Sequence, residues 1–296
     1  MSIVTTSTIS STPLISKRVV VDWLGITPFL IFALLFLIFP TVYLVAGAFL
    51  TPDGSFTFKN IGDLFTPTIM SAYWISIKIS VVSALGGAII GFYLAWALVL
   101  GGLPTWLRHA FLTFSGVASN FAGVPLAFSF IATLGRQGLV TILLAHFGLN
   151  LYSTGFNLLS FIGLTITYMY FQIPLMVLII TPALDGMKKE WREAASILGA
   201  TNKQYWFMVA LPILWPSLLG TTLLLFANSF GAIATAIALT GSSLNIVPIV
   251  LYAQIRGDVL HNANLGYALA LGMIVITGIS NVIYILMRMR AERWQK

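Results

Sequence analysis

The side chains able to do chemistry are few and stand apart. The acids are Asp22, Asp53, Asp63, Asp185, Glu190, Glu193, Asp258 and Glu292, and the histidines are His109, His146 and His261. No His-Glu-x-x-His run or close Asp/His pair occurs, so neither a metal-activated water nor a nucleophile with its base is indicated. There is no cysteine, which removes disulfides, thiolate metal sites and thiol nucleophiles. Gly-Lys is also absent, and with it the loop whose amides and lysine cradle nucleotide phosphates. What remains is one concentrated polar segment, Lys188-Lys189-Glu190-Trp191-Arg192-Glu193-Ala194-Ala195-Ser196-Ile197-Leu198-Gly199-Ala200, running on through Lys203 to Leu211-Pro212. Charge this dense in an apolar chain belongs in water and against a partner. No catalytic, metal or cofactor site is expected.

The elements that must position this segment are set by composition. Of 296 residues, 58% are hydrophobic and 8% charged, where a soluble domain carries about 25% charged residues. The expected solvent is the bilayer and the expected fold class is an all-α membrane protein. Net charge of +7 fits basic loops beside a membrane better than nucleic-acid binding. From Trp23 to Pro52 no residue is charged, more than the roughly 20 residues a crossing needs. A signal peptide led by Lys17-Arg18 is the competing reading; the run is too long for one and no clear cleavage site follows. Six spans are expected, at about 27–49, 73–99, 107–134, 158–183, 212–239 and 265–287. Residues 1–22 are read as a flexible head and 289–296 as a basic tail.

Between the spans the punctuation is clear. Pro52-Asp53-Gly54 marks a polar loop over 51–72, and Lys78 sits near the start of the second span, where it can snorkel. Gly87-x-x-x-Gly91 offers a small face for close helix packing. Gly123-Val124-Pro125 predicts a kink or discontinuity in the third span. Residues 135–157 form a loop with a short helix around 138–147, and Ile249–Ile255 is too short to cross, so a re-entrant or surface helix is expected. Six spans put both termini on one side. That side holds Lys17, Arg18, Arg108, Lys188, Lys189, Arg192, Lys203, Arg288, Arg290, Arg293 and Lys296, against Lys59, Arg136 and Arg256 opposite. The positive-inside rule therefore makes the termini and the charged segment cytoplasmic.

One spacing within that segment is specific. Glu193-Ala194-Ala195, three residues, Gly199, nine residues, then Val209-Ala210-Leu211-Pro212 resembles the EAA signature of permease subunits of binding-protein-dependent ABC importers, with Val209 where the family has Ile. Length, span count and the position before the fifth span are similar to the MetI-like type of that family. The resemblance implies an L-shaped pair of short helices over 188–212 docked into an ATPase subunit, with Glu193, Ala194, Ala195, Gly199, Ala200, Leu211 and Pro212 as coupling residues. The residues fit the role: alanines leave a low-profile surface, Gly199 permits a sharp turn, and Pro212 suits a first helical turn. The implied partners are two ATPase subunits carrying ATP and Mg, a second related permease subunit and an extracytoplasmic solute-binding protein, at a bacterial inner membrane.

Uncharged polar residues inside the spans are candidates for the translocation path: Ser115, Ser119, Asn120, Tyr168, Gln172, Asn228, Ser229 and Thr235. Hydrogen bonding between helices is the equal alternative for each. Asn120 and Asn228 lead, because an amide is costly to leave unsatisfied in lipid. Arg256 and Asp258 are candidates for contact with the binding protein, or for pairing within their own loop. Phe121–Phe128 and Asn245-Ile246-Val247-Pro248 resemble the branch of polyamine, aminoethylphosphonate and ferric-iron importers, polyamine first. A secondary carrier would be expected to hold a buried acid or histidine as a relay, which no span offers. A membrane scaffold without a through-path is the other rival.

Overall fold

The computed structural model describes residues 17–256 and 262–293. Their helices, in order, are α1 Lys17–Ala33, α2 Phe39–Gly47, α3 Lys59–Asp63, α4 Pro67–Leu100, α5 Thr105–Asn120, α6 Val124–Leu134 and α7 Leu139–His146. They continue as α8 Phe161–Asp185, α9 Lys189–Ile197, α10 Asn202–Tyr205, α11 Leu211–Phe230, α12 Ile233–Thr240, α13 Val247–Arg256 and α14 Ala263–Arg293. No strand is present among the described residues, apart from an isolated bridge between Leu50 and Phe56. Six apolar helical stretches are long enough to cross a bilayer: Gly25–Gly47, Pro67–Leu100, Val124–His146, Phe161–Asp185, Asn202–Phe230 and Ala263–Met289.

The all-α expectation with six crossings is met, with differences at the ends. α1 begins at Lys17, inside the head read as flexible, and α14 runs to Arg293, into the stretch read as a tail. α4 starts at Pro67, six residues ahead of the expected 73. Proline at the first helical position lacks only an N–H that has no partner there anyway, so the polar loop ends earlier than its composition suggests. The short helix expected around 138–147 is α7, and the short apolar run before Arg256 is α13.

α8 is the centre of the bundle. α4 packs along it, and α11 lies against both α4 and α8. α5 packs along α8, α14 along α11, and α2 along α14. The Gly87-x-x-x-Gly91 face is where α4 meets α8. A Cβ built on Gly87 would stand 2.8 Å from the Gln172 Cβ, and one on Gly91 would stand 2.6 Å from the Met176 Cβ. Small residues let two backbones approach closely, which substitutes for the hydrophobic drive that lipid does not provide.

The outer surface has the chemistry of a lipid boundary. Residues 25–47 bury none of their most apolar window, and Phe29, Phe36 and Phe39 are each about two thirds exposed. On the exposed stripe of α4, Trp74 and Trp96 stand about six turns apart, about 33 Å at 1.5 Å per residue. That matches a hydrocarbon core about 30 Å thick with an aromatic residue at each face. The Lys78 ammonium lies 4.9 Å from the Trp74 ring centroid, one turn nearer the helix end, as snorkelling requires.

Two of the spans expected from sequence are interrupted. Between α5 and α6 the chain turns at Phe121–Gly123, where Gly123 has φ 75°, a region open to glycine without strain. This is the discontinuity expected at Gly123-Val124-Pro125. It is a full break, so the single span expected over 107–134 is instead two helices. The third crossing stretch is Val124–His146, in which α6 continues through a short turn into α7, so α5 lies outside it and α7 belongs to a crossing and not to the loop expected over 135–157. The fifth span, expected unbroken over 212–239, also breaks: the Ile233 N–H donates to the Gly231 carbonyl at 2.9 Å in a three-residue turn at Ala232. No proline marks this position, so composition did not signal it.

Candidate functional site

The charged segment forms a projecting elbow. α9 buries none of its residues, and it begins after Lys188, whose extended backbone separates it from α8. At its far end Ile197 is 87% and Leu198 86% exposed. Gly199 follows with φ 77°, the left-handed conformation that reverses the chain and that a side chain would strain. Ala194 and Glu193 are exposed and Ala195 and Ala200 partly so. Among the described residues no cation pairs with Glu193, although Lys189 and Arg192 share its helix. The apolar pair at the tip was not singled out from sequence; burying each such side chain gains about 1.5–3 kcal/mol.

The return limb corrects one expectation. α10 is capped by Thr201 and Gln204, the Gln204 N–H donating to the Thr201 hydroxyl and the Thr201 N–H to the Gln204 side chain. This reciprocal box lies in Thr201-Asn202-Lys203-Gln204 and was legible there. α10 is not a separate short helix. It continues through a π-turn, Trp206–Ala210, into α11, so the helical stretch runs without interruption over Asn202–Phe230. The cause is Pro212, which cannot donate to the carbonyl four residues back and whose ring crowds it; the register widens by one residue instead. Pro40 does the same in the first span, after the π-turn Leu34–Ile38. Leu211 and Pro212 therefore sit in the membrane helix, away from the exposed tip.

The second constellation lies where the two breaks meet. α6 pairs with α12, and the Gly123 N–H donates to the Thr235 hydroxyl at 2.8 Å. The Tyr168 hydroxyl donates to the Ala232 carbonyl at 2.7 Å, pinning the other break to α8. One turn along, the Gln172 amide nitrogen reaches the Ser83 hydroxyl at 3.3 Å and the Leu225 carbonyl at 3.4 Å, while its carbonyl oxygen has no partner. Tyr168, Gln172, Ser229, Thr235 and Ser115 are all buried inside this chain. Ser229 and Thr235 are tied within the protomer, Ser229 through its hydroxyl to Leu225 and Phe226.

The remaining path candidates are different. Ser119 is half-buried and bonds to the Gly116 carbonyl. Asn120 closes α5 and Asn228 stands two residues before the end of α11, and both are exposed. Asn120 donates to the Gly116 carbonyl at 2.8 Å, and Asn228 has no side-chain hydrogen bond within the described residues. The structure thus divides the sequence candidates into a buried tie and an exposed pair beside the two breaks.

At the opposite end, Arg256 lies 5.8 Å from the ring centre of Tyr252, one turn back on α13, and Asp258 falls outside the described residues. A polar groove of about 580 Å³ opens beside the start of α14, with Thr51, Thr57, Lys59, Asn60, Asp63 and Asn264 in its walls. Among the described residues no three His, Asp or Glu side chains gather as a metal site would need.

Comparison with known proteins places the chain in a family. Residues 87–295 match the family described as binding-protein-dependent transport system inner membrane component. The chain belongs to that family. It is a multi-pass inner-membrane permease, and the MetI-like resemblance drawn from the EAA spacing holds. The chain is 25% identical over 256 residues to the spermidine/putrescine transport system permease protein PotB of Haemophilus influenzae, covering 84% of this chain and 87% of that one. It is 28% identical over 181 residues to a probable sulfate transport system permease protein of Chlorella vulgaris, covering 60% and 63%. A crystal structure of a bacterial ABC transporter involved in the import of the acidic polysaccharide alginate has a similar fold, with TM-score 0.69 and 20% identity over 95% of this chain and 98% of that one. The family match takes in the elbow, both helix breaks and the exposed asparagines.

Proposed function

We propose that this chain is one of two permease subunits of an ATP-driven importer, with its elbow docked into an ATPase subunit on the cytoplasmic side. The observation that carries this reading is the bare apolar tip Ile197-Leu198 beside Gly199, within the Glu193-to-Pro212 spacing. Among the described residues no group covers these side chains, and Glu193 has no ionic partner. The absence of Gly-Lys supports a partner that carries ATP and Mg. The basic residues on the elbow's side of the bundle orient it, with both termini, towards the cytoplasm. Asn120 and Asn228 then face the path between two permease subunits, and the polar groove and Arg256 at the opposite end face a solute-binding protein.

For substrate, a polyamine-type organic cation is the first reading, because the likeness to the spermidine/putrescine permease spans most of both chains. An oxyanion is the second. It is favoured by the lack of any Asp or Glu inside a described span, since Asp185 only closes α8, and by the likeness to a sulfate permease. Titrating the cognate solute-binding protein with spermidine, putrescine, sulfate and molybdate separates them: one class binds and drives uptake, and binding of neither excludes both.

The docking reading is tested on the assembled transporter. Glu193→Lys and Gly199→Trp are each expected to lower copurification of the ATPase or ATP-driven uptake by at least about tenfold, about 1.4 kcal/mol of docking energy. Normal copurification and uptake in both variants would remove the assignment.

A further inference from the structure

An ion pair ties the base of the elbow to α5, a helix that packs mainly along α8. Asp185 is the last residue of α8, and only Gly186, Met187 and Lys188 separate it from α9. Its carboxylate lies 2.5 Å from the Arg108 guanidinium, on the first turn of α5. Both side chains are about a third or more exposed, so water screens the pair and it adds little to stability. Its value is positional.

α5 packs along α8 and has no other extensive helix partner among the described residues. It carries Ser115 and Ser119 and ends at Asn120, where the turn that follows is bonded from Gly123 to Thr235 of α12. A displacement of α9 reaches α8 through the chain itself and reaches α11 through α10 and the π-turn. α5 lies on neither covalent route. We propose that Arg108 and Asp185 form a coupling tie through which movement of the docked elbow is passed to α5 and so to the two helix breaks. This rests on the docking of the elbow to an ATPase. Arg108 and Asp185 are positioning residues in it, since neither touches nucleotide or solute.

The test uses the complete transporter in proteoliposomes, with solute-binding protein and ATP. Solute taken up per ATP hydrolysed is measured for the wild type, Arg108→Gln, Asp185→Asn and the exchanged pair Arg108→Asp/Asp185→Arg. Each single variant is expected to assemble and melt like the wild type yet lose at least about fivefold in uptake per ATP, while the exchanged pair recovers to within about twofold. A purely structural contact would change assembly or melting and leave that ratio alone. Unchanged ratios in both single variants would overturn the tie, as would an exchanged pair no better than the singles. Should a single variant fail to assemble, Arg108→Lys, which keeps the charge, decides the matter: a wild-type ratio supports the tie and a fivefold loss overturns it. If the wild type itself shows no ATP-linked uptake, the docking reading falls and the tie with it; wild-type uptake with unaltered variants removes the tie alone.

Discussion

Gln172 shows how polar atoms are spent in a lipid-facing bundle. Its amide nitrogen makes two long hydrogen bonds, to Ser83 and Leu225, and its buried carbonyl oxygen makes none. Interhelical hydrogen bonds in membrane proteins average about 0.6 kcal/mol, so Gln172→Leu is expected to change stability by less than about 1 kcal/mol. Gly87, pressed against the same side chain, is the less tolerant residue. Gly87→Ala drives a methyl to 2.8 Å from the Gln172 Cβ and is expected to cost about 1–3 kcal/mol by overpacking. Thermal melts in detergent compare the two; a Gln172→Leu loss exceeding that of Gly87→Ala would contradict this ordering. Sequence picked out Tyr168, Gln172, Ser229, Thr235, Asn120 and Asn228 because each is a polar residue in an apolar run, and it ranked the two asparagines first only on the cost of an unsatisfied amide. It could not tell which of them turn inward, since a run that is apolar on nearly every side gives little sign of its buried face. Burial makes the division, and it leaves Asn120 and Asn228 exposed. Asn228→Leu is accordingly expected to alter solute uptake at unchanged melting temperature, whereas an unaltered uptake curve would take Asn228 off the path.

At the scale of elements, what was legible followed from local backbone chemistry. The start of α6 was visible in Gly123-Val124-Pro125, and the short helices α7 and α13 in their lengths. The break at Gly231-Ala232 was not visible, because a three-residue turn held by one hydrogen bond asks for no special residue. The π-turns were hidden for another reason. Pro212 reads as a first-turn proline, but it follows residues that are already helical, as Pro40 does in the first span, and the conflict is absorbed by one extra residue in the turn before each. Removing that residue from the turn would rotate the elbow by about 100° against α11, at 3.6 residues per turn. Pro212→Ala permits that return to regular register, so it is expected to lower uptake per ATP several-fold in reconstituted transporter. Pro40→Ala, in the first span and far from the elbow in sequence, is the control and is expected to leave the ratio within about twofold. Equal effects of the two substitutions would separate the π-turn from coupling.

Across the whole molecule, composition carried the six-crossing fold because the bilayer restricts the choice to helices whose backbone groups are all satisfied. The elbow was legible for a complementary reason: it is the densest run of charge in the interior of the chain, and its Glu-Ala-Ala…Gly spacing has a shape that α9, Gly199 and α10 realise. What sequence lacked was the third dimension of that elbow, in which Ile197 and Leu198 are exposed among the described residues. The central claim is that this tip enters an ATPase subunit. The chain has no cysteine, so Leu198→Cys places a single thiol at the tip of an otherwise unreactive permease. In the purified, assembled transporter, a short bifunctional thiol–amine cross-linker is expected to join that cysteine to the ATPase subunit in high yield. Efficient labelling of Leu198→Cys by a small maleimide, with no adduct to the ATPase subunit, would contradict the account.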